Sequence, residues 1–116
     1  MMKQIFIPSL NQYISYSIGK NAEDNSNIVD NSHDNDIWFH LQNSSSCHVI
    51  AHISNYERLD KKQLRQIIKQ GAILCKSNSK SKSDTNVGIR YTYIRDIHQT
   101  HIVGRVIADN SKIINV

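Results

Sequence analysis

No stretch of this sequence approaches the run of about 20 apolar residues that a membrane-spanning helix needs. The opening residues, Met1 to Pro8, also lack the apolar segment of a signal peptide. Cysteine is scarce. Cys47 and Cys75 are the only two, both in apolar surroundings and without C-x-x-C spacing. They read as small buried thiols in a reducing compartment rather than as a metal or redox pair. The catalytic signatures are missing as well: there is no Gly-x-Ser-x-Gly, Walker-type glycine loop or His-Glu-x-x-His. A Cys47–His48 dyad is excluded by geometry, since neighbouring residues of a strand point to opposite faces. No internal repeat or linker divides the chain, so residues 1–116 are expected to form one domain around a core made modest by an apolar share of 39%. These absences predict a cytoplasmic, non-enzymatic protein without a cofactor and without a membrane partner.

A further absence is local. No acid occurs between Lys61 and Lys82. The whole chain carries a formal charge of +4, but unevenly. Residues 1–60 hold three Lys/Arg against seven acids, and residues 61–116 hold eleven against three. A chain polarised in this way favours a polyanionic partner, with a merely solubilising basic surface as the plain alternative.

The periodicities predict an α+β fold with a largely antiparallel sheet, one long amphipathic helix and a short N-terminal helix. Strands are expected at Gln4–Ile7, Tyr13–Ile18, Asp36–Leu41, Cys47–Ile53 and residues 86–94, with shorter β pieces at Ile102–Ile107 and Lys112–Val116. Ile37, Phe39 and Leu41 alternate with Asp36, Trp38 and His40, and Cys47, Val49, Ala51 and Ile53 alternate with His48, Ile50 and His52. A hairpin through Ser44–Ser46 is the economical link between these two strands. The short helix is placed near Asn21. The long one starts after Asp60, which can form a capping box with Gln63.

At 100° per residue, Leu64, Ile67, Ile68, Gly71, Ala72, Leu74 and Cys75 make one apolar face of that helix. Lys62, Arg65, Lys69 and Lys76 fall opposite, within an arc of about 60°, and Lys80 joins them if the helix runs that far. A solvated helix face usually interleaves Glu with Lys to gain i,i+4 pairs. A row of cations without acids instead suits a phosphate backbone. Lys82 and Arg90 are expected to extend the track. Trp38, His40 and His48 would form a neighbouring surface that orients a base or sugar, with Asp36 accepting from base edges. The competing reading is structural: Trp38 covers the core under a helix, and Asp36 and His40 satisfy each other. His40, His48 and His52 together would also suit zinc, but no pair stands at zinc-finger spacing.

Several separate segments resemble one family. Gly19-Lys20-Asn21-Ala22-Glu23-Asp24-Asn25, Asp36-Ile37-Trp38-Phe39-His40, Cys47-His48-Val49-Ile50, Cys75-Lys76-Ser77-Asn78-Ser79-Lys80, Ile89-Arg90-Tyr91-Thr92 and Val103-Gly104-Arg105-Val106 are similar, in order, to motifs of the NFACT RNA-binding (NFACT-R) family. The likeness covers about residues 13–116, and the Asp-x-Trp-Phe-His and His-Val-Ile motifs are its most specific part. It implies a module found toward the C-terminal side of proteins that bind stalled large ribosomal subunits and tRNA in ribosome-associated quality control, and also in free-standing versions, as this chain is expected to be. The partner it implies is RNA, either tRNA or rRNA, together with the large ribosomal subunit. A protein-interaction adaptor using the basic face for an acidic partner is the alternative.

Two departures from the family pattern stand out. Cys47 occupies the place of a usual Ser. The Lys-Pro-Lys-Gly-rich loop of the family is replaced by His98-Gln99-Thr100-His101-Ile102, which makes any phosphate contact there depend on histidine protonation.

Overall fold

The computed structural model describes all 116 residues. Eight strands and two α-helices follow one another as β1 (Met2–Ile7), β2 (Gln12–Ile18), α1 (Ala22–Asp30), β3 (Ile37–Leu41), β4 (Val49–His52), α2 (Lys61–Ser77), β5 (Gly88–Tyr93), β6 (Ile97–Gln99), β7 (Val106–Ala108) and β8 (Lys112–Asn115). Six strands form one sheet in the order β1-β2-β4-β3-β5-β8, every pairing antiparallel. β6 and β7 form a separate antiparallel hairpin. The architecture is α+β with one long and one short helix.

The alternation in β3 and β4 decides which side chains meet. Ile37 pairs with Ala51, Trp38 with Ile50 and Phe39 with Val49. Phe39, Val49 and Ala51 therefore share the face toward α2, and Trp38 and Ile50 share the other. α2 buries Ile67, Gly71, Ala72, Leu74 and Cys75 against the first face. Close approach is required there: a Cβ on Gly71 would lie 2.2 Å from Cζ of Phe39. The Tyr16 hydroxyl, buried in the same layer, donates to the carbonyl of Ile67 at 2.9 Å.

The start of α2 follows the sequence signal. Asp60 accepts from the Gln63 N–H at 2.8 Å, and the Gln63 side chain accepts from the Asp60 N–H at 3.0 Å. Together they satisfy two of the backbone donors that a helix start leaves orphaned. α1 begins on Asn21, whose side chain accepts from the Asp24 N–H at 2.8 Å.

The second sheet face has its own smaller core of Val29, Trp38, Ile50 and Ile94, flanked by Ile28, Ile97, Val106 and Ala108. α1 and the β6–β7 hairpin thus cover Trp38. The piece expected as one strand over Ile102–Ile107 is different: β7 begins only at Val106, and residues 100–105 form the hairpin's loop. Gly104 explains the break. It adopts a φ of +80°, and a Cβ there would lie 2.7 Å from the backbone of Ala22, so the loop sits directly on the first turn of α1.

Candidate nucleic-acid interface

Lys62, Arg65 and Lys69 are exposed and Lys76 is half-buried, all on α2 away from the residues it packs into the core. The only ion-pair contacts in the protein involve histidines, His52 with Asp36 and His98 with Asp109. No Lys or Arg engages a carboxylate, so the positive face is not neutralised by the acids of the first sixty residues. Lys61 and Lys62 stand in the first turn of α2, which contains no acid. The helix dipole disfavours cations there by a few tenths of a kcal/mol each. Helix stability therefore does not account for Lys61 and Lys62, although Lys76, in the last turn, stands where the dipole favours a cation.

The helix ends at Ser77 with Asn78 as its C-cap, so Lys80 does not complete the helical row as its period would have it. It is exposed in the following turn. Lys82, also past the helix, does join the row: Lys69, Lys76 and Lys82 line one shallow groove of about 400 Å³ beside Asn115 and Val116.

The expectation of one continuous surface joining this row to Trp38, His40, His48 and Arg90 requires correction. Those four residues lie on the opposite sheet face, because Trp38 alternates with the α2-facing Ile37 and Phe39, and Arg90 pairs with His40 across β5 and β3. Trp38 is 0% exposed and presents no face on which a base can stack. Its ring is occupied internally: His40 stacks on it at 5.6 Å and 9°, and the Arg90 guanidinium lies 5.6 Å from its centroid. The covered-tryptophan reading was the right one, with α1 and the hairpin as the cover.

Asp36 is also withdrawn from any ligand. It is 0% exposed and accepts from the backbone N–H groups of His33, Ile53 and Ser54 at 2.9, 2.9 and 3.0 Å. The histidine beside its carboxylate is His52, at 3.5 Å, and not His40. Burial pushes the Asp36 carboxyl up, but His52 and the three amides outweigh it and hold it at about 2. Asp36 is a brace that ties the end of β4 to the start of β3.

The three histidines of this face do not converge. The rings of His40 and His48 are 5.3 Å apart, whereas His52 sits at the far end of β4 against Ser17 and Asp36. Burial, followed by the neighbouring Arg90, holds His40 below its ordinary value after partial compensation by the Leu41 carbonyl. Burial first, then His40, lowers His48 to about 4. Both rings are neutral at pH 7.

What the sequence reading missed is the cleft these residues floor. It has a volume of about 860 Å³ and lies between the first turn of α1, the 100–105 loop and the Gln42–Cys47 loop. Lys20 and Arg105 belong to its wall, with His40, His48 and Arg90. Asn78, the C-cap of α2, also lines it, so the cleft and the basic helix meet at one end of the molecule. The sequence carried only a faint signal, the Gly104-Arg105 pair within that loop.

An antiparallel sheet backed by a cation-bearing helix, with a cation-lined cleft on its other face, defines an α+β module. The family model for the NFACT protein RNA binding domain matches residues 2–111, and the chain belongs to that family. Among solved structures, the C-terminal part of the fibronectin/fibrinogen-binding protein from Streptococcus suis is similar, with a TM-score of 0.75 and 20% identity over 89% of this chain. The chain spans 41% of that structure, and the likeness is one of fold. No curated protein matches the sequence.

Proposed function

We propose that this chain is a non-enzymatic RNA-binding module of the cytoplasm that holds structured RNA, tRNA or rRNA, along the outer face of α2, in the setting of ribosome-associated quality control on the large ribosomal subunit. The observation that carries this reading is the acid-free cationic face of Lys62, Arg65, Lys69 and Lys76, none of them ion-paired within the protein. Lys82 extends the row through the shared groove. Phosphate contacts supply affinity, and the shape of the folded RNA supplies selectivity.

Four or five phosphates neutralised by this row give a slope of log K against log salt of roughly −3 to −5. Crosslinking in cells followed by sequencing of the bound RNA tests the assignment. Enrichment of tRNA or large-subunit rRNA is expected. A protein crosslinked only to an acidic protein, with no RNA recovered and no displacement by free tRNA, would make it an adaptor instead.

A further inference from the structure

The cleft on the second sheet face has a composition that covering a tryptophan does not require. Of its 23 lining residues, none is Asp or Glu, while Lys20, Arg90 and Arg105 all contribute. In a protein with ten acids, an acid-free wall of that length concentrates positive potential inside a concave, partly desolvated space, where it attracts an anion most strongly. The volume falls within the roughly 300–1,000 Å³ typical of small-molecule sites.

Arg90 adds a second observation. Its Nε is the one buried side-chain nitrogen or oxygen in the protein without a hydrogen-bond partner. Arginine cannot shed its proton to relieve this, and no carboxylate is within ion-pair reach. A buried donor of a permanent cation calls for an acceptor that the fold itself does not supply.

The wall also offers a directed acceptor. His40 Nδ1 lies 2.7 Å from the Leu41 carbonyl oxygen. A carbonyl can only accept, so Nδ1 carries the ring proton and donates it. Nε2 of the neutral ring is therefore left as a lone-pair acceptor. Gln42, Ser45 and Asn78 supply further neutral polar groups around the rim.

Cations for a phosphate, beside a histidine acceptor and amide and hydroxyl groups for a hydroxyl or a base edge, are the complement of a nucleotide. We propose that this cleft binds one unpaired ribonucleotide of an RNA strand, its phosphate held by Lys20, Arg90 and Arg105 and its sugar or base hydrogen-bonded by His40 Nε2 and the rim. The inference rests on the preceding section for RNA as the source of the nucleotide, and on the cleft alone for its chemistry. Because Asn78 joins the cleft to the end of α2, an RNA whose backbone lies on the helix can place a single-stranded end in the cleft. Base stacking plays no part, since Trp38 is covered.

The test titrates the isotope-labelled full chain with AMP, adenosine and inorganic phosphate, following backbone amides and the Arg90 Nε–H by NMR. Saturable shifts with AMP are expected at Lys20–Ala22, Ser44–Ser46, Gly104, Arg105 and the Arg90 Nε–H. Adenosine and phosphate should each bind at least fivefold more weakly than AMP. Lys20→Gln and Arg105→Gln, both exposed and free of ion pairs, should each weaken AMP binding about fivefold or more without altering the remaining spectrum. Lys112→Gln, which removes one charge from the edge strand β8 outside the cleft lining, should leave AMP binding as it was. AMP shifts confined to α2, equal binding of adenosine and AMP, or no saturable shift at all would overturn the cleft assignment. Those results would leave folded-RNA binding by α2 standing. A charge reversal on α2 that spares folded-RNA binding would remove that reading while the AMP result stood.

Discussion

The indole N–H of Trp38 donates to Nδ1 of His48 across 3.1 Å, both groups being buried. Nδ1 can accept only while it carries no proton, so this bond requires a neutral His48 with its proton on Nε2. Burial and the adjoining His40 act in the same direction and lower His48 to about 4. The second sheet face is thus folded around an uncharged histidine.

Acid stability follows from that bond. Unfolded, His48 takes up a proton near its ordinary value of 6.5; folded, it does so only near 4. Between those values the unfolded chain binds more protons, so stability falls as pH drops from 6.5 to 4, by at most about 3 kcal/mol. Asp36 continues the trend. Its carboxyl titrates at 3.8 when unfolded and at about 2 when folded, so its contribution is complete above 3.8 and is lost as pH falls toward 2. Urea midpoints measured from pH 7.5 to 3 should decline continuously below 6.5. His48→Gln should flatten the upper part of that decline, at the cost of a weakened partner for the Trp38 N–H at neutral pH.

Asp36→Ala separates a brace from a ligand. It removes the acceptor of three backbone N–H groups, at least one of them buried. The expected loss of stability is on the order of 3–5 kcal/mol. RNA affinity of the protein that remains folded, measured at low temperature, should stay within about twofold of the unsubstituted chain. A large affinity loss with unchanged stability would instead place Asp36 on the RNA.

Lys62→Glu should move stability and affinity in opposite directions. The substitution replaces a cation in the first turn of α2 with the charge the helix dipole favours, and it stands three residues before Arg65. A gain of about 0.5 kcal/mol, or roughly 2–3 °C in Tm, is expected by thermal unfolding. RNA binding should weaken, with the salt slope shallower by about 1. A fall in Tm would show that Lys62 serves the fold.

Much of this organisation was legible in the sequence because it depends on local rules. The alternation around Trp38 assigned Ile37, Phe39 and Leu41 to one core, and the Asp60–Gln63 pair marked the start of α2. What the sequence could not carry was which side of the sheet each element covers. The strand period separates Trp38 from Phe39, but nothing local to 36–41 says that α2 takes the Phe39 side while α1 and the β6–β7 hairpin take the other. For that reason the sequence pattern sets Trp38, His40, His48 and Arg90 beside the helix lysines, from which the sheet divides them. The cleft was illegible for a related reason. Lys20, Arg90 and Arg105 are far apart in the chain and share one cleft where Gly104 seats on Ala22, a contact between distant segments that no local pattern announces. The sequence predicts one β piece over Ile102–Ile107 because Ile102, Val103, Val106 and Ile107 look β-like, whereas the positive φ of Gly104 breaks the extension and β7 begins only at Val106.

The most direct test of the central claim is the affinity of the Lys69→Glu, Lys76→Glu double variant for tRNA, measured by fluorescence anisotropy at fixed salt beside its thermal unfolding. Neither lysine is ion-paired in the fold, so Tm should change by no more than a few degrees. Two reversed charges in the phosphate track should weaken binding at least tenfold. An unchanged affinity in a variant that unfolds normally would contradict the account.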